Sequence, residues 1–232
     1  MVTAIVLAGG SGTRLGGDVP KQYLMAGDRP VIGYCLETFE KNEEIQQILV
    51  VCAPVWQDFI QQWAERLGIG KLCGYAPGGE SRQHSVYNGL TKAKALGLGE
   101  EDVVLIHDAA RPWVGDAVIH QCIVGAMEDD GAMPVLPVKD TIYRSRNGQI
   151  DGLLCRDELF AGQTPESFRF GPYFRLHKGL SDEMLRGIRG SSELAYNGGM
   201  NIRLVTGAEN NYKITTLKDL EKFCLQLEEK GR

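Results

Sequence analysis

The 232 residues carry 30 Asp and Glu against 25 Lys and Arg, a formal net charge of -5, and that balance argues against a sequence-independent nucleic-acid surface. No run approaches the roughly 18 consecutive apolar residues of a membrane span. With 43% hydrophobic and 24% charged residues the chain has globular composition, and its length suffices for one large α/β domain.

The first residues lack a basic stretch followed by an apolar one and a cleavage site, so they read as a strand rather than a leader. Residues 4–8 form a continuous apolar run closed by Gly9-Gly10, which predicts a buried parallel strand. Val31, Ile32, Cys35, Leu36 and Phe39 recur at helical spacing. Residues 48–52 predict a second buried strand. Pro54 suits the first turn of the helix after it, whose core face is Phe59, Trp63 and Leu67. A short strand over 72–75, a helix over 85–96, a third buried strand over 103–106, a helix over 117–127 and a strand over 132–138 continue the alternation. This rhythm predicts an α/β fold: a Rossmann-like open, mostly parallel sheet with helices on both faces. Beyond it, Asn147-Gly148 between 141–144 and 150–154 is a tight hairpin signal, and the hairpin should project as a β-arm. An arm needs cover for its apolar side chains, which points to a homodimer. A strand over 202–205, an apolar strand 211–215 holding Lys213, and a helix starting near Thr216 with Asp219 in its first turn complete the chain.

The six cysteines, Cys35, Cys52, Cys73, Cys122, Cys155 and Cys224, form no CxxC and have no His at zinc-ligand spacing. They are expected to be reduced, in a cytoplasmic protein.

Ligands of such sheets bind beyond the carboxyl ends of the strands. There the sequence places Leu7-Ala8-Gly9-Gly10-Ser11-Gly12-Thr13-Arg14, with Pro20-Lys21-Gln22-Tyr23 behind it. Glycines let backbone N–H groups cradle phosphate oxygens, and two flanking cations, Arg14 and Lys21, suit charge building on phosphorus. The loop is neither a Walker A loop nor a dinucleotide fingerprint, which weakens any nicotinamide reading. After the third strand come His107-Asp108-Ala109-Ala110-Arg111-Pro112. Asp108 can hold Mg²⁺ against phosphates and Arg111 can clamp a phosphate; taken alone, the two read more readily as a pair closing a turn. In Gly78-Gly79-Glu80-Ser81-Arg82-Gln83-His84-Ser85, Gly79 would admit a base close to backbone and Ser85 would offer a hydroxyl, or start a helix. Thr141, Arg156 and Thr164 are polar groups suited to a phosphate, unspecific by themselves. Lys213, inside an apolar segment, needs an anionic partner or a route to water.

In this order, these segments and Gln163-Thr164-Pro165-Glu166-Ser167-Phe168 resemble the 2-C-methyl-D-erythritol 4-phosphate cytidylyltransferases of the non-mevalonate isoprenoid pathway, from Ala4 to about Leu220. The resemblance implies one nucleotidyltransferase domain over 1–232, with the arm at about 139–160. It implies transfer of CMP from CTP to a small polyol phosphate, with Mg²⁺ as cofactor and no nucleic-acid or membrane partner. Arg14 and Lys21 would stabilise the transition state, and Ala8, Gly9, Gly10, Ser11, Gly12 and Thr13 would form the nucleotide loop. Gly79 and Ser85 would contact cytidine, and Asp108 would bind Mg²⁺. Arg111, Thr141, Arg156 and Lys213 would gather the polyol phosphate, with Thr141 and Arg156 reaching the site of the second subunit. Retention of Arg14, Lys21 and Asp108 together speaks against a silent nucleotide-binding module. The sister ribitol phosphate cytidylyltransferases usually read His-Asp-Ser-Val-Arg-Pro and Lys-Gln-Phe, where this chain has Ala109-Ala110 and Tyr23. One departure stands out. The family's Thr-Asp-Asp/Glu-Ala stretch is here Ser191-Ser192-Glu193-Leu194-Ala195, with the Ser191 hydroxyl expected in place of the Thr hydroxyl on the phosphate.

Overall fold

The computed structural model describes residues 1–10 and 19–230. The chain opens with β1 (Val2–Leu7), a two-residue pair β2 (Met25–Ala26) and β3 (Arg29–Pro30), α1 (Val31–Lys41), β4 (Gln47–Cys52), α2 (Gln57–Leu67), β5 (Leu72–Pro77) and α3 (Arg82–Ala95). Then come β6 (Val103–Asp108), α4 (Asp116–Glu128), β7 (Gly131–Pro137), β8 (Tyr143–Arg146), β9 (Gln149–Leu153), β10 (Phe160–Gly162) and β11 (Glu166–Arg169). The chain closes with α5 (Phe170–Lys178), α6 (Asp182–Gly187), α7 (Ser191–Asn197), β12 (Ile202–Thr206) and α8 (Leu217–Lys230).

The main sheet has eight strands in the order β10-β7-β11-β6-β1-β4-β5, with β12 also on β7. β1 pairs in parallel with both β4 and β6, β4 with β5, and β12 with β7. β10 and β11 run against the rest. Each central strand is apolar on both faces, as a sheet covered on both sides requires. Val2, Ala4 and Val6 join Ile48, Val50, Val103 and Leu105 under α1, α2 and α4. Ile5, Leu49, Val51, Val104 and Ile106 face α3, α5 and α7 on the other side. A third small core joins Ala26, Val31, Ile214 and Phe223 of α8.

Two sequence expectations change here. Residues 211–215 are not a strand: Asn211 N–H turns back to Ala208 O at 3.0 Å and Ile214 N–H donates to Ala110 O at 2.8 Å. Its apolar side chain Ile214 is buried against α8 rather than in the sheet. β11, read in the sequence only as part of a motif, enters the sheet antiparallel between β6 and β7 and sets Glu166 opposite Ile106. The arm is as expected: β8 and β9 pair only with each other, through Asn147 (φ 52) and Gly148 (φ 79), the left-handed pair a tight hairpin needs. Tyr143, Ile150 and Leu153 on it are exposed.

Candidate active site

β1, β6 and the start of α3 end at one cleft of about 530 Å³. Gln22 and Tyr23 fix its first wall. Gln22 Nε2 donates to Ala8 O at 2.6 Å and Gly10 O at 2.9 Å, and Tyr23 OH donates to Ala8 O at 3.0 Å. Opposite stands the Gly78-Gly79 turn. Ser81 Oγ caps α3 by accepting from His84 N–H at 3.2 Å. Ser85 Oγ accepts from Gly79 N–H at 3.0 Å and donates to Ser81 O at 3.1 Å. A Cβ on Gly79 would sit 2.2 Å from His84 Cβ, and a Cβ on Gly9 would lie 3.3 Å from Gly78 Cα. Glycine is therefore required at Gly79 by close approach, and Gly9 packs tightly on Gly78.

The floor is charged. Asp108, at the end of β6, is nearly buried, with Lys213 Nζ 2.7 Å from Oδ2, Arg82 Nε 3.5 Å from Oδ1 and Arg111 Nε 3.9 Å from Oδ2. Burial pushes its pKa up, but Arg82, Lys213 and Arg111 outweigh it and hold the carboxyl well below the usual range. Asp108 is therefore ionised at any working pH. Lys213 reaches it from a segment that Ile214 anchors in the third core.

His107 is not a catalyst. It is fully buried, its Nε2 donates to Arg111 O at 2.9 Å, and its Nδ1 accepts from Thr164 Oγ1 at 3.1 Å. Thr164 Oγ1 in turn accepts from Asp108 N–H at 3.2 Å. A carbonyl can only accept, so this chain fixes the tautomer. Burial pushes the imidazole down to about 4, so it is neutral.

Of the expected site residues, Gly9, Gly10, Lys21, Gly79, Ser85, Asp108 and Lys213 line the cleft together. Ser11, Gly12, Thr13 and Arg14 lie outside the described residues. Ala8 does not offer a backbone group to a ligand: its N–H donates to Val51 O and its carbonyl takes Gln22 and Tyr23. Arg111 does not face the cleft either. Its Nη1 donates to Asn211 O at 2.6 Å, which ties down the segment that carries Lys213. Thr141 and Arg156 sit on the arm, exposed and away from this chain's cleft, with Arg156 Nη1 on Lys139 O at 3.2 Å. The Ser191 hydroxyl is buried and accepts from Arg82 Nη1 at 2.5 Å, so it is not a wall of the site.

Sequence reasoning passes over Gln22, Arg82 and Thr215, which also line the cleft. Gln22 and Arg82 stand inside motifs already singled out, and Thr215 is two residues from Lys213. Among the described residues no group of three or more His, Cys, Asp and Glu gathers for a metal. The donor set instead suits an ion held by one carboxylate and by ligand phosphates, the usual habit of Mg²⁺.

A family model described as IspD, 2-C-methyl-D-erythritol 4-phosphate cytidylyltransferase, matches residues 2–228. The chain belongs to the IspD family. It is 36% identical over 220 residues to the 2-C-methyl-D-erythritol 4-phosphate cytidylyltransferase of Geobacter metallireducens, covering 94% of both chains. It is also 32% identical to the ribitol-5-phosphate cytidylyltransferase of Lactiplantibacillus plantarum, over the whole of both. A crystal structure of 4-diphosphocytidyl-2C-methyl-D-erythritol synthase superposes with a TM-score of 0.81 at 27% identity, over 97% of this chain and 99% of that one. The Anaerococcus prevotii protein of that name shares the fold, with a TM-score of 0.82 at 23% identity over 98% and 96% of the two chains. This IspD-family chain is thus a cytidylyltransferase. Among its described residues no helix is long and apolar enough to cross a membrane.

Proposed function

We propose that the protein transfers CMP from CTP to the phosphate of 2-C-methyl-D-erythritol 4-phosphate and releases pyrophosphate. One observation carries this reading: an ionised Asp108 held between Arg82 and Lys213 at the floor of a cleft whose other wall is glycine backbone. Backbone at Gly9, Gly10 and Gly79 suits a nucleotide approaching closely, and the cationic floor suits a second phosphate.

The acceptor's phosphate oxygen is already anionic. It attacks the α-phosphorus of CTP in line, a new P–O bond forms, and the α–β bond breaks with its electron pair leaving on pyrophosphate. No base is needed, which agrees with the neutral, fully hydrogen-bonded His107. Lys21 and Arg14 are assigned to the charge that grows at phosphorus, and Lys213 and Arg82 to holding the acceptor. Asp108 would hold Mg²⁺ jointly with the phosphates, and the ion would neutralise the triphosphate. Catalysis is then positioning plus charge neutralisation.

Two further assignments belong to this reading. The exposed arm pairs two copies of the chain, bringing Thr141 and Arg156 of one to the cleft of the other. The buried thiols Cys35, Cys52 and Cys122, pushed up by burial to about 12, 11 and 12, are inert structural cysteines of the kind expected in the cytoplasm.

Ribitol 5-phosphate is the second acceptor to test, because of the whole-length relative that uses its name. The test is pyrophosphate release by purified protein with CTP, Mg²⁺ and both polyol phosphates. 2-C-methyl-D-erythritol 4-phosphate should give the higher kcat/KM. A value for ribitol 5-phosphate about tenfold or more above it, about 1.4 kcal/mol, would reverse the assignment.

A further inference from the structure

Arg82, which lines the cleft, is held at three points. Its Nη1 donates to Ser191 Oγ at 2.5 Å, its Nη2 to Glu166 Oε1 at 2.8 Å, and its Nε stands 3.5 Å from Asp108 Oδ1. Each nitrogen of the guanidinium thus has an assigned neighbour, and its planar fork fixes the orientation. The carboxylate behind it is fixed as well. Glu166 Oε2 accepts from Ser192 N–H at 2.7 Å and from Ser192 Oγ at 2.8 Å. Glu166 does not line the cleft; its side chain is only 6% exposed. It stands on β11 opposite Ile106, two residues before Asp108, so the sheet register sets it behind the floor.

A buried carboxylate is expensive unless paired, and even paired it seldom adds net stability over a well-packed apolar residue. Its presence here is better explained by what it does to Arg82. The cations around Asp108 differ in access: the side chains of Lys213 and Arg82 are 35% and 27% exposed, that of Arg111 only 12%. Arg82 and Lys213 also face opposite oxygens of Asp108, so a phosphate arriving at the floor meets both.

We infer that Glu166 is a positioning residue for acceptor capture: with Ser192 it turns the Arg82 guanidinium toward the cleft beside Asp108, where Arg82 and Lys213 together receive the acceptor's phosphate. This rests on the proposed reading that the Asp108 end of the cleft takes the acceptor.

The experiment is steady-state kinetics of the full chain with CTP, Mg²⁺ and whichever of the two polyol phosphates the wild type turns over, with a thermal melt of each variant. Glu166→Gln keeps the size but removes the charge on Arg82 and sets an amide against the Ser192 donors. It should raise the acceptor KM about tenfold while the CTP KM moves less than about twofold. Combining it with Ser192→Asp returns a carboxylate to Arg82 from α7 and should recover most of the lost kcat/KM. Ser192→Asp alone, which sets two carboxylates together, should be worse than wild type. Should Glu166→Gln fail to fold, Ser192→Ala, which removes only the hydroxyl donor, should still raise the acceptor KM about threefold. An unchanged acceptor KM in a folded variant, or acceptor and CTP KM rising together, overturns the role. A wild type that ignores both acceptors overturns the proposed function and this role with it, an outcome distinct from wild-type turnover that the substitutions leave untouched.

Discussion

Gly79 stands where the first turn of α3 leaves no room for a side chain, and Gly79→Ala tests the nucleotide wall directly. The added Cβ would lie 2.2 Å from His84 Cβ, 2.8 Å from His84 C and 2.9 Å from Ser85 N. Two of those atoms are backbone, so no rotamer change relieves the overlap. Ordinary contact begins at 3.4 Å, so the turn must withdraw by about 1.2 Å. A shift of that size breaks the 3.0 Å bond from Gly79 N–H to Ser85 Oγ. The lost bond costs roughly 0.5–1.5 kcal/mol. Overpacking costs roughly 1–3 kcal/mol more. Roughly 1.5–4.5 kcal/mol is thus divided between fold stability and the wall that meets CTP. If half reaches the ligand, CTP binds about three- to fortyfold more weakly, at about 1.4 kcal/mol per decade. Calorimetric titration with CTP, beside a thermal melt, reads both shares, and the acceptor KM should move less than CTP affinity. A Gly79→Ala protein that melts with the wild type and binds CTP as tightly would show that the turn is not a nucleotide wall.

Three further outcomes are expected. Lys21→Ala should lower kcat by roughly 10²–10³ with a smaller change in CTP binding, as for loss of one preorganised donor; an intact kcat removes Lys21 from the chemistry. An isolated two-stranded hairpin is marginal in water, so the arm with its exposed Tyr143, Ile150 and Leu153 should be covered in a homodimer by light scattering; a fully active monomer at micromolar concentration refutes both the dimer and the shared site. His107 and His177 are each pushed by burial from 6.5 to about 4, so the unfolded chain binds their protons first as pH falls. The stability they contribute is whole above about pH 6.5, falls toward pH 4 and is gone below it, with roughly 2 kcal/mol per histidine lost by pH 5. Denaturant midpoints that match at pH 7.5 and pH 5 would contradict this.

The central sheet is legible because its strands are buried on both faces and read as uninterrupted apolar runs, as in residues 4–8 and 103–106. The turn Asn147-Gly148 is legible because only a tight hairpin wants two left-handed residues there. β11 is not, since Glu166 and Arg169 give it the look of a loop. Its burial depends on distant partners: Arg82 for Glu166, and Cys122 O, 2.6 Å from the Ser167 hydroxyl. The segment 211–215 misleads in the opposite sense: Tyr212 and Ile214 look like strand residues, but they pack with α8. Within the site, the sequence singles out Arg111 as a cation near Asp108 and passes over Arg82, the one that lines the cleft. That choice is made by Asn211 O, which binds Arg111, and by Glu166, which binds Arg82. Both partners are remote in sequence, so no local pattern carries the answer.

The same remoteness bears on Ser191-Ser192, where the resemblance leads one to expect Thr-Asp. Neither serine lines the cleft; Ser191 Oγ belongs to Arg82, and Ser192 N–H and Oγ belong to Glu166. An Asp at 192 would bring a second carboxylate against Glu166, whereas Ser192 donates to it twice. A serine there therefore alters what stands behind Arg82, while the proposed phosphate surface, Arg82 and Lys213 beside Asp108, is kept. Those groups recognise a phosphate and a charge, which erythritol and ribitol phosphates share. Discrimination between them must then come from groups that meet the carbon chain and its hydroxyls, and the candidates are Thr215 in the cleft and Thr141 on the arm of a second copy.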